Sequence, residues 1–221
     1  MQKGFSLIEL MIALVLGLIV VAGTISLYVT SIKSSSVVKN SSQLSQELGG
    51  VMTVMTNDIR RAGYWGEAIS GSDSRLNIFN GLNILNAGDC ILYSYDTDSD
   101  GAVDANEYYG FKLNAGTVQI RTAGSTITNC SDNTDTWVNM LDSGLINVTT
   151  LIFSSANSKC INVTTNEVAV CSALPTPTAG DDIVEVRYIE IQLDGQASAD
   201  TTIEASITSS VRVKNNRVYT Q

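Results

Sequence analysis

No histidine occurs among the 221 residues of the chain. That removes Ser-His-Asp and Cys-His catalysis, histidine-ligated zinc and the usual switch near neutral pH. Basic residues are also few: 13 Lys and Arg stand against 22 Asp and Glu, for a net charge of −9. This balance argues against nucleic acid as a partner, because phosphate contacts need Lys and Arg. There is no CxxC pair, so neither a zinc ribbon nor a thioredoxin-like motif is supported. The two prolines, Pro175 and Pro177, mark a loop and not a domain boundary. Charged residues make up 16% and hydrophobic ones 44%, which argues against disorder. An enzyme would have to work with carboxylates or lysine, and no nucleophile with its base and no phosphate loop is clustered to make one.

What is present begins with an apolar block. From Phe5 to Val29 the only charged residue is Glu9. At 1.5 Å per residue, the stretch from Leu10 to Val29 spans roughly 30 Å, the hydrocarbon thickness of a bilayer. No small-residue cleavage site follows it, so it reads as a retained span and not a secretory signal peptide. Lys3 on the short leading side predicts a cytoplasmic N-terminus with the C-terminal bulk exported. A carboxylate at the position of Glu9 costs at least about 2.5–3.5 kcal/mol in a membrane and needs a partner. It either snorkels to the interface or pairs with a cation from another subunit.

Four cysteines, Cys90, Cys130, Cys160 and Cys171, fall in the exported part. An even count there suggests two disulfides and an oxidising compartment such as the periplasm. Three pairings are possible. Cys160–Cys171 with Cys90–Cys130 is favoured, because local pairs close compact loops.

Gly4-Phe5 followed by Ser6-Leu7-Ile8-Glu9-Leu10 resembles the type IV prepilin signature. The resemblance implies that prepilin peptidase cuts after Gly4, removing residues 1–4 as a leader, and methylates the amine of Phe5. It also gives Glu9 a partner, the α-amino group of a neighbouring pilin in the filament. Methylation leaves that amine charged, so the ion pair is physically sound and suited to setting register.

Past Val29 the composition changes. Val37, Ser41, Leu44, Leu48, Val51, Met55, Ile59 and Ala62 trace one face of an amphipathic helix, opposite Lys39, Gln43, Gln46 and Asn57. Arg60-Arg61 and then Gly63 supply a cationic last turn and a C-cap glycine. One nearly continuous helix is expected from Ser6 to Ala62, ~85 Å long, with Gly17, Gly23 and Gly49-Gly50 as places to bend or melt. Strands are expected at Cys90–Tyr95, Glu107–Leu113, Thr117–Thr122, Ile146–Ser154, Lys159–Val163, Glu167–Cys171, Ile183–Leu193 and Thr202–Lys214. The last two are expected to form an antiparallel pair joined through Asp194-Gly195. The fold class is α+β: a long N-terminal helix packed on an antiparallel sheet. With the prepilin resemblance, residues 5–30 are expected to be the membrane and filament-core helix, and 31–221 the pilin globular domain, including helix 31–62 and a loop-closed hairpin at 90–113.

The stretch Asp58-Ile59-Arg60-Arg61-Ala62-Gly63-Tyr64-Trp65-Gly66 is similar to the segment typical of PilW-type minor pilins. The closing Ser210-Val211-Arg212-Val213-Lys214-Asn215 is similar to the end of that group and of GspJ-type pseudopilins. A capped helix end explains Arg60-Arg61 equally well.

Asp96-Thr97-Asp98-Ser99-Asp100-Gly101-Ala102-Val103-Asp104-Ala105-Asn106-Glu107 has the spacing of a twelve-residue calcium loop. Asp96, Asp98 and Asp100 fall at positions 1, 3 and 5, Gly101 at the sharp turn, and the Ala102 carbonyl at position 7. Asp104 would ligate through water and Glu107 bidentately, with an affinity in the weak extracellular range of ~10⁻⁴–10⁻³ M or tighter. The loop resembles that of an EF-hand, but its flanks read as strands. A structural calcium site closing a hairpin is expected, against the alternative of a solvated acidic turn.

The resemblance implies a minor pilin of a type IV pilus that primes filament assembly near the tip. Its partners would be other minor and major pilins, prepilin peptidase, the inner-membrane assembly platform and a tip adhesin. A GspJ-like pseudopilin of a type II secretion system and a calcium-dependent adhesive pilin are the alternatives. In the pseudopilin family the tip-most subunit typically lacks the glutamate found here as Glu9, which implies another subunit above this one.

Overall fold

The computed structural model of the protein describes residues 4, 6–66, 68 and 73–221. Phe5 and the leader positions Met1, Gln2 and Lys3 lie outside the described residues. The chain divides into two compact units, Met1–Gln43 and Leu44–Gln221.

Helix α1 runs from Leu7 to Ile59, and Gly17, Gly23, Gly49 and Gly50 are all helical. In the first unit its side chains are exposed, including Leu7, Ile8, Leu10, Met11 and Ile12. The apolar window has a mean hydropathy of 2.7 with none of it buried, so this helix is long and apolar enough to cross a membrane. Val37 and Val38 remain exposed, so the apolar stripe read from Val37 onward is buried only from Leu44.

In the second unit Leu44, Leu48, Val51, Met52, Met55 and Ile59 are the buried stripe of α1. They share one core with residues of two antiparallel sheets. The first sheet is a five-stranded meander: β1 (Leu82–Leu85), β2 (Cys90–Ser94), β3 (Tyr108–Asn114), β4 (Thr117–Ala123) and β5 (Thr136–Asn139). The second contains β6 (Ile146–Ser154), β10 (Tyr188–Ala197) and β11 (Asp200–Arg212), with β10 in the middle. A third, four-stranded sheet has the order β12-β9-β7-β8, from β7 (Lys159–Asn162), β8 (Glu167–Val170), β9 (Asp182–Val186) and β12 (Arg217–Thr220). The architecture is α+β, with the long helix packed on antiparallel sheets.

Two of the differences from the sequence expectation lie along Ile183–Leu193 and its connection to the next strand. Ile183–Leu193 is not one strand: it divides at Arg187, with β9 in one sheet and β10 in another. Arg187 occupies the buried phase of the alternation. It is 3% exposed, and it donates to the carbonyls of Asn80 at 2.7 Å and Asn215 at 2.9 Å. Burial pulls its guanidinium down to about 10. Nor is Asp194-Gly195 a turn. β10 continues through it to Ala197, and Gly195 pairs with Ala205. A Cβ at Gly195 would lie 3.3 Å from Leu48 Cδ2, so this glycine lets the strand approach α1.

Two disulfides are present, Cys90–Cys130 and Cys160–Cys171. The first joins β2 to the connection between β4 and β5, and packs with Leu92 behind the main core.

Candidate functional site

Two regions carry the residues singled out from sequence. At the helix start, Gly4 is exposed and non-helical, and α1 begins three residues later. The Ser6 backbone N–H donates to Glu9 Oε2 at 3.0 Å. The spacing Ser6-x-x-Glu9 is that of a capping box, and the carboxylate here satisfies one of the free N–H groups of the helix terminus. Glu9 thus has a partner within its own chain, which the Ser6-x-x-Glu9 spacing displays and the membrane cost of a carboxylate does not.

The second region is the acidic loop, which connects β2 to β3. Its two ends are buried and its middle is wet. Asp96 and Glu107 are each 1% exposed, whereas Asp98, Asp100 and Asp104 are exposed. Carboxylate oxygens of Asp96, Asp98 and Glu107 lie within 4.8 Å of one another, and so do those of Asp98, Asp100 and Asp104. Asp98 belongs to both groups. Gly101 has a φ of +75°, the left-handed turn that its position demands, and Ser99 has a φ of +65°.

Backbone amides already order much of this oxygen set. Asp96 accepts from the N–H groups of Ser99 at 2.7 Å and Gly101 at 3.3 Å. Glu107 accepts from Thr97 at 2.6 Å and Asp104 at 3.0 Å, which draws the two ends of the loop together. Asp100 accepts from Ala102 at 2.8 Å, and among the described residues Asp98 accepts only a long contact of 3.3 Å from Asp100. Hard carboxylate oxygens in this number suit calcium rather than a soft metal.

The loop is fastened to the helix end by contacts that spacing alone does not display. The Asp96 N–H donates to the Tyr64 carbonyl at 2.9 Å, and the Gly66 N–H donates to Asp96 Oδ2 at 2.9 Å. A Cβ at Gly66 would stand 2.5 Å from Ser99 Cβ, so the segment after α1 lies flush on the loop. Asp58 accepts from the hydroxyls of Tyr93 at 2.6 Å and Tyr95 at 2.9 Å, and Arg61 covers the Tyr95 ring at 4.2 Å. Burial, with Asp58 beside them, pushes both phenols well up. Tyr95 stacks on Tyr109 at 4.0 Å, and the Tyr109 hydroxyl meets Thr97 Oγ1 at 2.8 Å. Arg60-Arg61 is therefore more than a helix cap, since Arg61 belongs to the wall of the loop.

On its other side the loop rests on β4. The Gly124 N–H donates to the Ala105 carbonyl at 2.8 Å. Behind it the fully buried Arg121 forms an ion pair with Asp135, also fully buried, and donates to the Thr126 carbonyl at 2.6 Å. This buried pair was not legible in the sequence, where both residues stand among polar neighbours.

Residues 1–25 match the prokaryotic N-terminal methylation motif, and residues 38–213 match the model of prepilin peptidase-dependent protein B. The second match covers most of the chain. The chain belongs to the prepilin peptidase-dependent protein B family. No curated protein and no solved structure matches it significantly. Membership makes this prepilin-type chain a pilin or pseudopilin, a structural and non-enzymatic component of a filament handled by prepilin peptidase. The exposed apolar half of α1 is its membrane anchor before assembly.

Proposed function

We propose that this prepilin is a PilW-like minor pilin of a type IV pilus, placed near but below the tip, where it helps to prime filament assembly. The methylation motif at 1–25, followed by the family match over 38–213, is the observation that carries this reading. The likeness of Asp58–Gly66 to the PilW-type segment favours the pilus over the GspJ-like alternative. Deleting the protein is expected to abolish surface pili and twitching while leaving exoprotein secretion intact. The reverse outcome would assign it to a type II secretion pseudopilus. Its partners are other minor and major pilins, with the peptidase and inner-membrane assembly platform acting before incorporation and a tip adhesin above. Cleavage falls after Gly4 and methylation on Phe5. Intact-mass analysis of filament protein should therefore show loss of residues 1–4 and gain of one methyl.

The acidic loop holds a structural calcium ion, with Asp96, Asp98, Asp100, the Ala102 carbonyl, Asp104 and Glu107 as its oxygen donors. The donor chemistry and the two oxygen groups that share Asp98 support this reading. Bound calcium would supply charge neutralisation to a loop that is otherwise self-repelling. At a calcium concentration tens of times the Kd, the protein should gain about 2–3 kcal/mol, a rise in Tm on the order of 5 °C. Asp98→Asn with Asp100→Asn is the appropriate loss variant. Replacing Asp96 or Glu107 would also break the loop's own hydrogen bonds and destabilise the protein without any metal. An unresponsive wild-type protein would return the loop to a solvated acidic turn.

A further inference from the structure

The second sheet ends in an open edge. β11 pairs with β10 on one side, and no other described strand pairs with it. The Val213 N–H donates to the Arg187 carbonyl at 3.0 Å, which fixes the phase of the ladder. Odd-numbered residues of β11 bond to β10, so the N–H and C=O groups of Glu204, Ser206, Thr208, Ser210 and Arg212 point outward. Both ends of this free edge are marked. At one end the pairing leaps from Gln196↔Glu204 to Ala197↔Asp200, a bulge where Thr202 N–H turns back to Asp200 at 3.1 Å. At the other, the Lys214 N–H is taken by the Arg60 carbonyl at 3.0 Å. Between Glu204 and Arg212 there is no proline, lysine or glycine to blunt the edge.

We infer that this edge pairs with the same edge of a second copy, antiparallel and centred on Thr208. That register overlaps the whole free edge, and its outward groups meet in phase. Thr208 faces Thr208 of the second copy, Ser206 faces its Ser210, and Glu204 faces its Arg212. The edge carries two charges, of opposite sign, and two-fold symmetry sets each against its complement. Both side chains are exposed, and neither forms an ion pair with another described residue. On the core-facing side Ala205 meets Val211 of the second copy. The pairing would add about ten backbone hydrogen bonds. Such a contact is isologous and closes on itself, whereas a filament grows through heterologous contacts. The pair is therefore a membrane-held form that must separate before the subunit enters a filament. This inference is independent of the calcium site.

Cysteine cross-linking of the full-length chain in membranes tests it. Thr208→Cys places two thiols on opposed residues with Cα atoms about 5.5 Å apart, within disulfide reach. Mild oxidation should give a covalent dimer. Ser206→Cys, on the same exposed face, would sit about 14 Å from its own copy and should give little. In the Thr208→Cys background, Glu204→Arg alone or Arg212→Glu alone should lower dimer yield about tenfold, because two pairs become two repulsions. The double exchange should restore it. Equal yields from the Thr208 and Ser206 thiols, or a yield indifferent to the charge exchange, would overturn the inference. So would an adduct of the Thr208 thiol with a different protein in place of itself.

Discussion

Glu9 is asked to do two things, and single substitutions separate them. Within its own chain it accepts the Ser6 N–H, and in a filament it is proposed to meet a neighbour's amine. Gln at this position keeps an oxygen for Ser6 but loses the charge, whereas Val loses both. Both variants should insert in the membrane. If the ion pair governs incorporation, Glu9→Gln will fail as fully as Glu9→Val when filament content is measured by immunoblot of sheared pili. Normal incorporation of Glu9→Gln would leave helix capping as the role of the residue. The carboxylates of the acidic loop divide in a similar way. Asp96 and Glu107 hold backbone amides and are buried, while Asp98 is exposed and lightly held, which makes it the position most open to an ion.

At the level of the elements, the β4–β5 connection depends on one buried ion pair. Asp135→Ala would leave the Arg121 guanidinium without a counter-ion where no water reaches it, at a cost of about 3–5 kcal/mol. Chemical denaturation should show this as a lowered midpoint at unchanged slope, and a loss under about 1 kcal/mol would contradict it. Much of the element order was legible because apolar residues recur at the right periods: the helix, Ile146–Ser154 and the strands flanking the acidic loop are as read. β1, β5 and β12, of four residues each, were missed, although β7 and β8 of the same length were read. The period of two also ran unbroken across Arg187, and periodicity does not reveal that a chain changes sheets. Asp194-Gly195 misled for a different reason. The dipeptide that favours a turn here serves helix–strand approach, which is a tertiary demand. The spacing of the acidic loop could be read directly, but its attachment to Tyr64 and Gly66 runs through backbone atoms that carry no sequence signal.

Across the whole molecule, the missing histidines and the anchored carboxylates together set the response to pH. Hydrogen bonds from Ser206 and from Thr202 hold Asp194 and Asp200 below the ordinary carboxylate value of 3.8. Their folded-state values lie below the unfolded one, so the stability they contribute is complete above the unfolded value and is lost as pH falls through the folded ones. Without histidine no side chain has its ordinary value between pH 5 and 8, so Tm should be nearly flat there and decline only below about pH 4. A midpoint of loss near pH 6 would contradict this. The Cys90–Cys130 bond has a further consequence for an exposed filament subunit. It closes a covalent ring of 40-residue span, and the acidic loop with its wet middle lies inside that ring. A protease that nicks the chain between Asp98 and Gly101 would therefore release nothing. The two pieces would stay joined through the sulfurs, and the subunit would keep its place under tension until the bond was reduced.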